Sequence, residues 1–161
     1  MGPSNVSILA VDDEANILAV LERGLALAGY HCVTASSAGQ AAQLLQEAAF
    51  ALVLLDIMMP GKSGMELLPE IIIQYPDTGV IMLTGVTDTN TAAKAMREGA
   101  LDYMTKPFDL DELTARIERA LARRALLLEN REYQQSLERM VTERTEQRDS
   151  IEPAIPGTPA S

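Results

Sequence analysis

The chain has 161 residues, enough for one globular domain with an appendage. Hydrophobic residues make up 47% and charged residues 22%, an ordinary globular balance and not a disordered acidic tract. A net charge of −10 argues against direct contact with nucleic acid or an anionic membrane, both of which call for a basic footprint.

No apolar run approaches the ~20 residues of a membrane span. Met1 to Asn5 begins no secretory signal, and Val6 breaks the myristoylation pattern. Cys32 is the one cysteine, so neither an internal disulfide nor a cysteine-based zinc site is available. A cytoplasmic protein is the expectation. The charge is uneven: residues 1–108 carry 12 acidic and 5 basic groups, net −7, and residues 109–161 carry 11 and 8, net −3. This shift points to a boundary.

Five short apolar runs punctuate the first 108 residues: Val6–Val11, His31–Ala35, Ala51–Leu55, Val80–Leu83 and Leu101–Met104. Such runs suit buried parallel strands. Stretches of helical period lie between them. Leu18, Leu21, Leu25 and Ala28 make one stripe, and Ala38, Ala42, Leu45 and Ala49 a second. Met65, Leu68 and Ile72 make a third, and Ala92 with Met96 a fourth. Gly29 and Gly99 suit helix C-termini; Ser36 or Ser37, Ser63 and Asp88 suit N-caps. Pro69 falls inside the third pattern, where a kink or a delayed start is expected. The pattern predicts an α/β fold, (βα)5, a doubly wound five-stranded parallel sheet, spanning 5–121. Ligand chemistry in such folds gathers beyond the carboxyl ends of the strands.

A fifth helix is expected from Leu110, and the helical signal continues to about Arg148 without Gly or Pro. Leu126, Tyr133, Met140 and Gln147 recur every seven residues, as do Asn130, Leu137, Arg144 and Ile151, offset by four. That is a heptad seam, so 122–149 is predicted to be an extended helix paired as a coiled coil or acting as a linker. Residues 150–161, with three Pro and one Gly, are predicted to be a disordered tail.

Three carboxylates end predicted strands: Asp12 and Asp13 after the first, Asp56 after the third. These two strands are neighbours in a doubly wound sheet, so the three groups converge. Like charges in one cleft cost several kcal/mol unless neutralised, and all-oxygen ligation suits Mg²⁺. Thr84 ends the fourth strand and can donate a hydroxyl; Lys106 follows the fifth and can reach Asp56 or a group attached to it. An aspartate beside a metal, a lysine and a hydroxyl is set up for nucleophilic attack on phosphorus. Asp56 would then carry an acyl phosphate, its charge shared by Mg²⁺, Lys106 and Thr84.

In these residues the chain resembles the receiver domain of two-component response regulators, the chemotaxis-type, flavodoxin-like fold. The motifs are Ile8-Leu9-Ala10-Val11-Asp12-Asp13-Glu14, Leu54-Leu55-Asp56-Ile57-Met58-Met59-Pro60-Gly61, Gly64-Met65-Glu66-Leu67-Leu68, Leu83-Thr84-Gly85 and Lys106-Pro107-Phe108. The resemblance implies that Asp56 is phosphorylated by a sensor histidine kinase. It implies that Asp13, Asp56 and the Met58 carbonyl bind Mg²⁺, with Asp12 acting largely through water, and that the Lys106–Pro107 bond is cis. It also implies a switch: Thr84 moves toward the phosphoryl group and Tyr103 rotates into the vacated space. The face of the fourth helix, fifth strand and fifth helix is thereby remodelled. Met58 and Val86, two residues past Asp56 and Thr84, are apolar and offer no hydrogen bond to an in-line water, so slow self-dephosphorylation is expected.

A homodimer through the C-terminal helix, that remodelled face, or both is expected. No enzymatic activity is expected beyond the chain's own phosphorylation and dephosphorylation. A haloacid-dehalogenase-type phosphatase wants a second acid where Met58 stands. A flavin or nucleotide site wants a Gly- or Ser/Thr-rich loop where Asp13-Glu14-Ala15-Asn16 stands. The remaining alternative is a coiled-coil scaffold in which phosphorylation is incidental. The stretch 126–148 is also similar to linkers that join receivers to cyclic-dinucleotide enzymes. No output motif follows, so the chain is expected to be part of a longer regulator or to act by contacting a partner.

Overall fold

Each predicted apolar run forms a strand, and all the strands lie parallel. In the computed structural model, which describes residues 6–85 and 89–151, the strands are β1 Ser7–Val11, β2 His31–Ala35, β3 Leu52–Asp56, β4 Gly79–Thr84 and β5 Asp102–Thr105. Their order in the sheet is β2-β1-β3-β4-β5. The helices are α1 Ala15–Leu27, α2 Ala38–Glu47, α3 Gly64–Gln74, α4 Thr89–Arg97 and α5 Leu110–Ile151. This is the flavodoxin-like receiver architecture with a long C-terminal helix. The order reverses at β1, which lies between β2 and β3, and that pairing aligns Val11 with Leu55. Asp12 and Asp56 therefore emerge side by side from the crest of the sheet.

Side chains alternate along the strands and feed two apolar layers. Ile8, Ala10, Leu52, Leu54, Ile81 and Leu83 pack with Leu21, Leu25, Leu113 and Ile117, placing α1 and α5 on one face. Leu9, Val11, Val53, Leu55, Val80 and Met82 pack with Ala41, Leu45, Leu68, Ile71 and Ala95, placing α2, α3 and α4 on the other. Burying a Leu or Ile stabilises by ~1.5–3 kcal/mol, so these layers, rather than helix propensity, hold the helices in place.

The first stripe faces the core through Leu21 and Leu25. The others keep Ala38, Leu45, Leu68 and Ala92 buried but differ at their remaining positions. On α2 the buried residues are Ala38, Ala41 and Leu45; Ala49 lies past the helix end and is exposed. On α3, Leu67, Leu68 and Ile71 are buried while Met65 and Ile72 are half-buried. On α4, Ala95 is buried and Met96 is 37% exposed. A small alanine lets α4 sit close to the sheet, and the longer Met96 is displaced to the rim. α3 runs without interruption through Pro69.

The caps follow local chemistry. Ser37 Oγ accepts the Gln40 N–H at 3.1 Å. Ser63 and Glu66 form a reciprocal capping box at the start of α3. Gly29 closes α1 at φ 97°, where a β-carbon would be strained, and the Tyr30 N–H returns to the Leu25 carbonyl at 2.9 Å. Gly99 does the same after α4 at φ 118°. The predicted cap Asp88 lies outside the described residues, as do Val86 and residues 152–161 of the predicted tail.

The chain divides into two units between Arg124 and Ala125. The first holds the sheet. The second holds the remainder of α5, which continues through Ile151. Among the described residues, no helix is long and apolar enough to cross a membrane.

Candidate functional site

The crest of the sheet brings together Asp12, Asp13, Asp56 and Lys106, and Thr84 ends the neighbouring strand β4. Asp12 follows β1, its N–H held by the Ala35 carbonyl at 3.1 Å. One of its oxygens accepts the Glu14 N–H at 2.9 Å, turning the chain into α1. Asp56 ends β3, and its Oδ1 accepts the Met58 N–H at 3.2 Å. Thr84 ends β4 and is buried, while Tyr103 on β5 is 37% exposed. Lys106 follows β5, where its N–H is fixed by the Thr84 carbonyl at 2.7 Å. The Lys106–Pro107 peptide is cis, as the resemblance implies.

Lys106 Nζ lies 2.7 Å from Asp12 Oδ2, 3.4 Å from Asp56 Oδ1 and 3.6 Å from Glu14 Oε1. The sequence reading aimed this ammonium at Asp56; its shortest contact is Asp12. One cation thus faces two buried carboxylates and one exposed one. Asp12 is fully buried and Asp56 is 2% exposed, whereas Asp13 faces solvent. Carboxylate oxygens of Asp12, Asp13 and Asp56 lie within 4.8 Å of one another.

Burial pushes the Asp56 carboxyl from 3.8 up to about 6, and the charge of Asp12 pushes the same way. Lys106 and the Met58 N–H pull it back only in part. Burial works against the Lys106 ammonium, but its hydrogen bond to Asp12 and the charge of Asp56 raise its pKa above the usual value. The pocket therefore holds more negative charge than its own lysine balances. Its donor set, carboxylate oxygens with one open to water, fits a hard divalent cation that keeps part of its hydration. Soft or redox-active metals would want Cys or His ligands, and none stands in this cluster. Met58 follows β3 and is 67% exposed, with its N–H on Asp56.

Two further contributors were not assigned roles from the sequence. Glu14 is the third carboxylate facing Lys106, a position shown only once the β1–α1 turn is folded. Gly64 opens α3 directly against the end of β3. A β-carbon there would collide with the Asp56 carbonyl oxygen and lie 2.9 Å from its carbonyl carbon. Gly64 N–H also donates to the Ile57 carbonyl at 3.0 Å. This glycine lets α3 approach the backbone that carries Asp56.

Comparison with known proteins agrees with this geometry. The family model described as "Response regulator receiver domain" matches residues 8–118. The DNA-binding transcriptional regulator NtrC of Escherichia coli K12 is 40% identical over 115 residues, covering 71% of this chain and 24% of that protein. The chain thus spans about a quarter of the length of the curated relatives it matches. Among solved structures, a response regulator receiver domain protein from Clostridium thermocellum aligns with a TM-score of 0.72 at 37% identity, covering 76% of this chain and 98% of that one. NtrX from Brucella abortus aligns with a TM-score of 0.75 at 37% identity, covering 80% of this chain and 29% of that one. By its fold, by the carboxylates and lysine at its crest, and by these matches, the chain belongs to the response regulator receiver domain family.

Proposed function

We propose that the chain is a phosphorylation-controlled switch in which Asp56 accepts a phosphoryl group from a sensor histidine kinase. The observation that carries this reading is the buried Asp56 carboxylate, 3.4 Å from the Lys106 ammonium, inside a cluster of three aspartates. A carboxylate oxygen of Asp56 attacks phosphorus. The P–N bond of the donor phosphohistidine breaks, and its electron pair stays on the imidazole nitrogen, which takes a proton from water. Lys106 and the Thr84 hydroxyl bind oxygens of the transferred group. Asp13, Asp56 and the Met58 carbonyl would hold Mg²⁺, with Asp12 acting through water, and the ion would supply neutralising charge. The chain catalyses only its own phosphorylation and dephosphorylation.

The new group brings about −1.5 to −2 charge. It competes with Asp12 for Lys106 and draws Thr84 toward itself, and Tyr103 turns into the vacated space. The face of α4, β5 and α5 changes shape, and α5 carries that change to an output segment or a partner protein. Reversing a 1:99 equilibrium takes ~5.5 kcal/mol of differential interaction. Two charge-assisted bonds at the phosphoryl group supply part of it, and self-association through α5 or the α4–β5–α5 face the rest. A kinase donor that draws on ATP places the chain in the cytoplasm.

The test is to incubate the full chain with acetyl phosphate and MgCl₂ and read the intact mass. One hydroxylamine-labile phosphoryl group is expected, absent from Asp56→Asn and from samples in EDTA. A label that persists in the Asn variant, or no label on the wild-type chain with Mg²⁺, refutes the reading.

A further inference from the structure

We infer that the second unit is one half of a parallel, in-register, two-stranded coiled coil whose partner is another copy of this chain, with Asn130 facing Asn130. The inference rests on the self-association proposed above and names its partner, direction and register. Four apolar side chains of the seam, Leu126, Tyr133, Leu137 and Met140, are each 40–65% exposed on the helix. Leu127 and Val141, beside the seam, are 52% and 63% exposed. A helical stripe of this width is stabilised by burial against a second helix. The spacing of four and three places Leu126, Tyr133 and Met140 at d, and Asn130, Leu137 and Arg144 at a.

Three features select a second copy. An asparagine at a leaves its amide unsatisfied against an apolar partner but satisfies it against an identical amide. One such residue fixes register and favours two strands. Charge permits the pairing: residues 125–144 hold four acidic and three basic groups, net −1, whereas residues 1–108 carry −7. In the in-register arrangement Glu143, at g, flanks Arg144 of the other copy, so opposite charges meet at the weakest layer. Direction follows from burial. An antiparallel pair centred on Asn130 would set Met140 opposite Ala120, which is buried in the core of the first unit. Of the two arrangements that set Asn130 against Asn130, the parallel one gives the whole stripe a partner.

The experiment uses the full chain with Cys32→Ala, carrying a single new cysteine at Leu137 or, as control, at Gln135 on the outer side. Sedimentation reads the mass, and mild oxidation reads the register. A dimer that cross-links through Leu137→Cys and not through Gln135→Cys is expected. In the otherwise wild-type chain, Leu137→Asp should weaken dimerisation by about a hundredfold or more, since two leucines leave the seam. Circular dichroism checks that it still folds. Asn130→Leu should give tighter assembly with mixed stoichiometry. A monomer at micromolar concentration overturns both self-association and this inference. A dimer that resists Leu137→Asp, or cross-links equally at both cysteines, overturns this inference alone. Labelling of Asp56 by acetyl phosphate in Leu137→Asp reports separately on the phosphoacceptor.

Discussion

Replacing Asp56 with Asn removes the one charge that the crest leaves least compensated, so the fold should gain stability when that charge is lost. The carboxyl rises from 3.8 to about 6 through burial and the charge of Asp12. At about 1.4 kcal/mol per pKa unit, the ionised form costs the native state about 3 kcal/mol, and relaxation of the neighbours reduces this to ~1.5–3 kcal/mol. The sign follows from the direction. With its pKa above that of the unfolded chain, the carboxyl carries no penalty below about pH 3.8, and the penalty grows as pH rises through about 6. Asn keeps the Met58 N–H acceptor and carries no charge. Urea unfolding in EDTA should therefore show Asp56→Asn more stable than wild type at about pH 7.5, with the gap closing toward about pH 4 and equal m-values. Millimolar Mg²⁺ should narrow the gap at the higher pH by binding the wild-type site more tightly. An Asn variant no more stable at the higher pH, or a gap independent of pH, would refute the reasoning.

Lys106→Met leaves Asp12 buried without its 2.7 Å partner, so it should cost about 2–4 kcal/mol in urea unfolding and move the Asp56 titration, followed by NMR, still higher. Gly64→Ala drives a β-carbon into the Asp56 carbonyl; a loss of ~1–3 kcal/mol and slower acetyl phosphate labelling are expected, and an unchanged unfolding curve would contradict the contact. Met58→Asn supplies a hydrogen-bonding group beside the acceptor and should shorten the acyl phosphate lifetime by about tenfold. A wild-type half-life of seconds would itself oppose the idea that apolar Met58 and Val86 slow hydrolysis.

Much of this molecule is legible in its residues because its signals are local. Unbroken apolar runs such as Leu52–Leu55 admit only a strand buried on both faces, and a capping box such as Ser63 with Glu66 needs no tertiary context. The acidic pair, Asp56, Thr84 and Lys106 stand at strand ends in chain order, so parallel topology alone brings them to one edge. The helix faces were harder to read. Small alanines pack as tightly as large residues where a helix lies close to the sheet, so Ala41 and Ala95 took positions that period alone assigned to Ala42 and Met96. The first partner of Lys106 was also hidden. Whether an ammonium on a long stem meets Asp12 or Asp56 depends on ångström-scale placement of β1 and β3. The need for Gly64 is a matter of backbone clearance, on which side-chain pattern is silent.

The bond between Lys106 and Asp12 spans 94 positions of the chain, joining the loop after the last strand to the end of the first. Such a long-range closure forms only when the sheet is complete. A chain emerging from the ribosome with four strands assembled has no Lys106 ammonium beside Asp56. On the phosphoacceptor reading proposed above, copies that lack β5 and Lys106 should take up phosphoryl groups poorly even where phosphodonor is abundant.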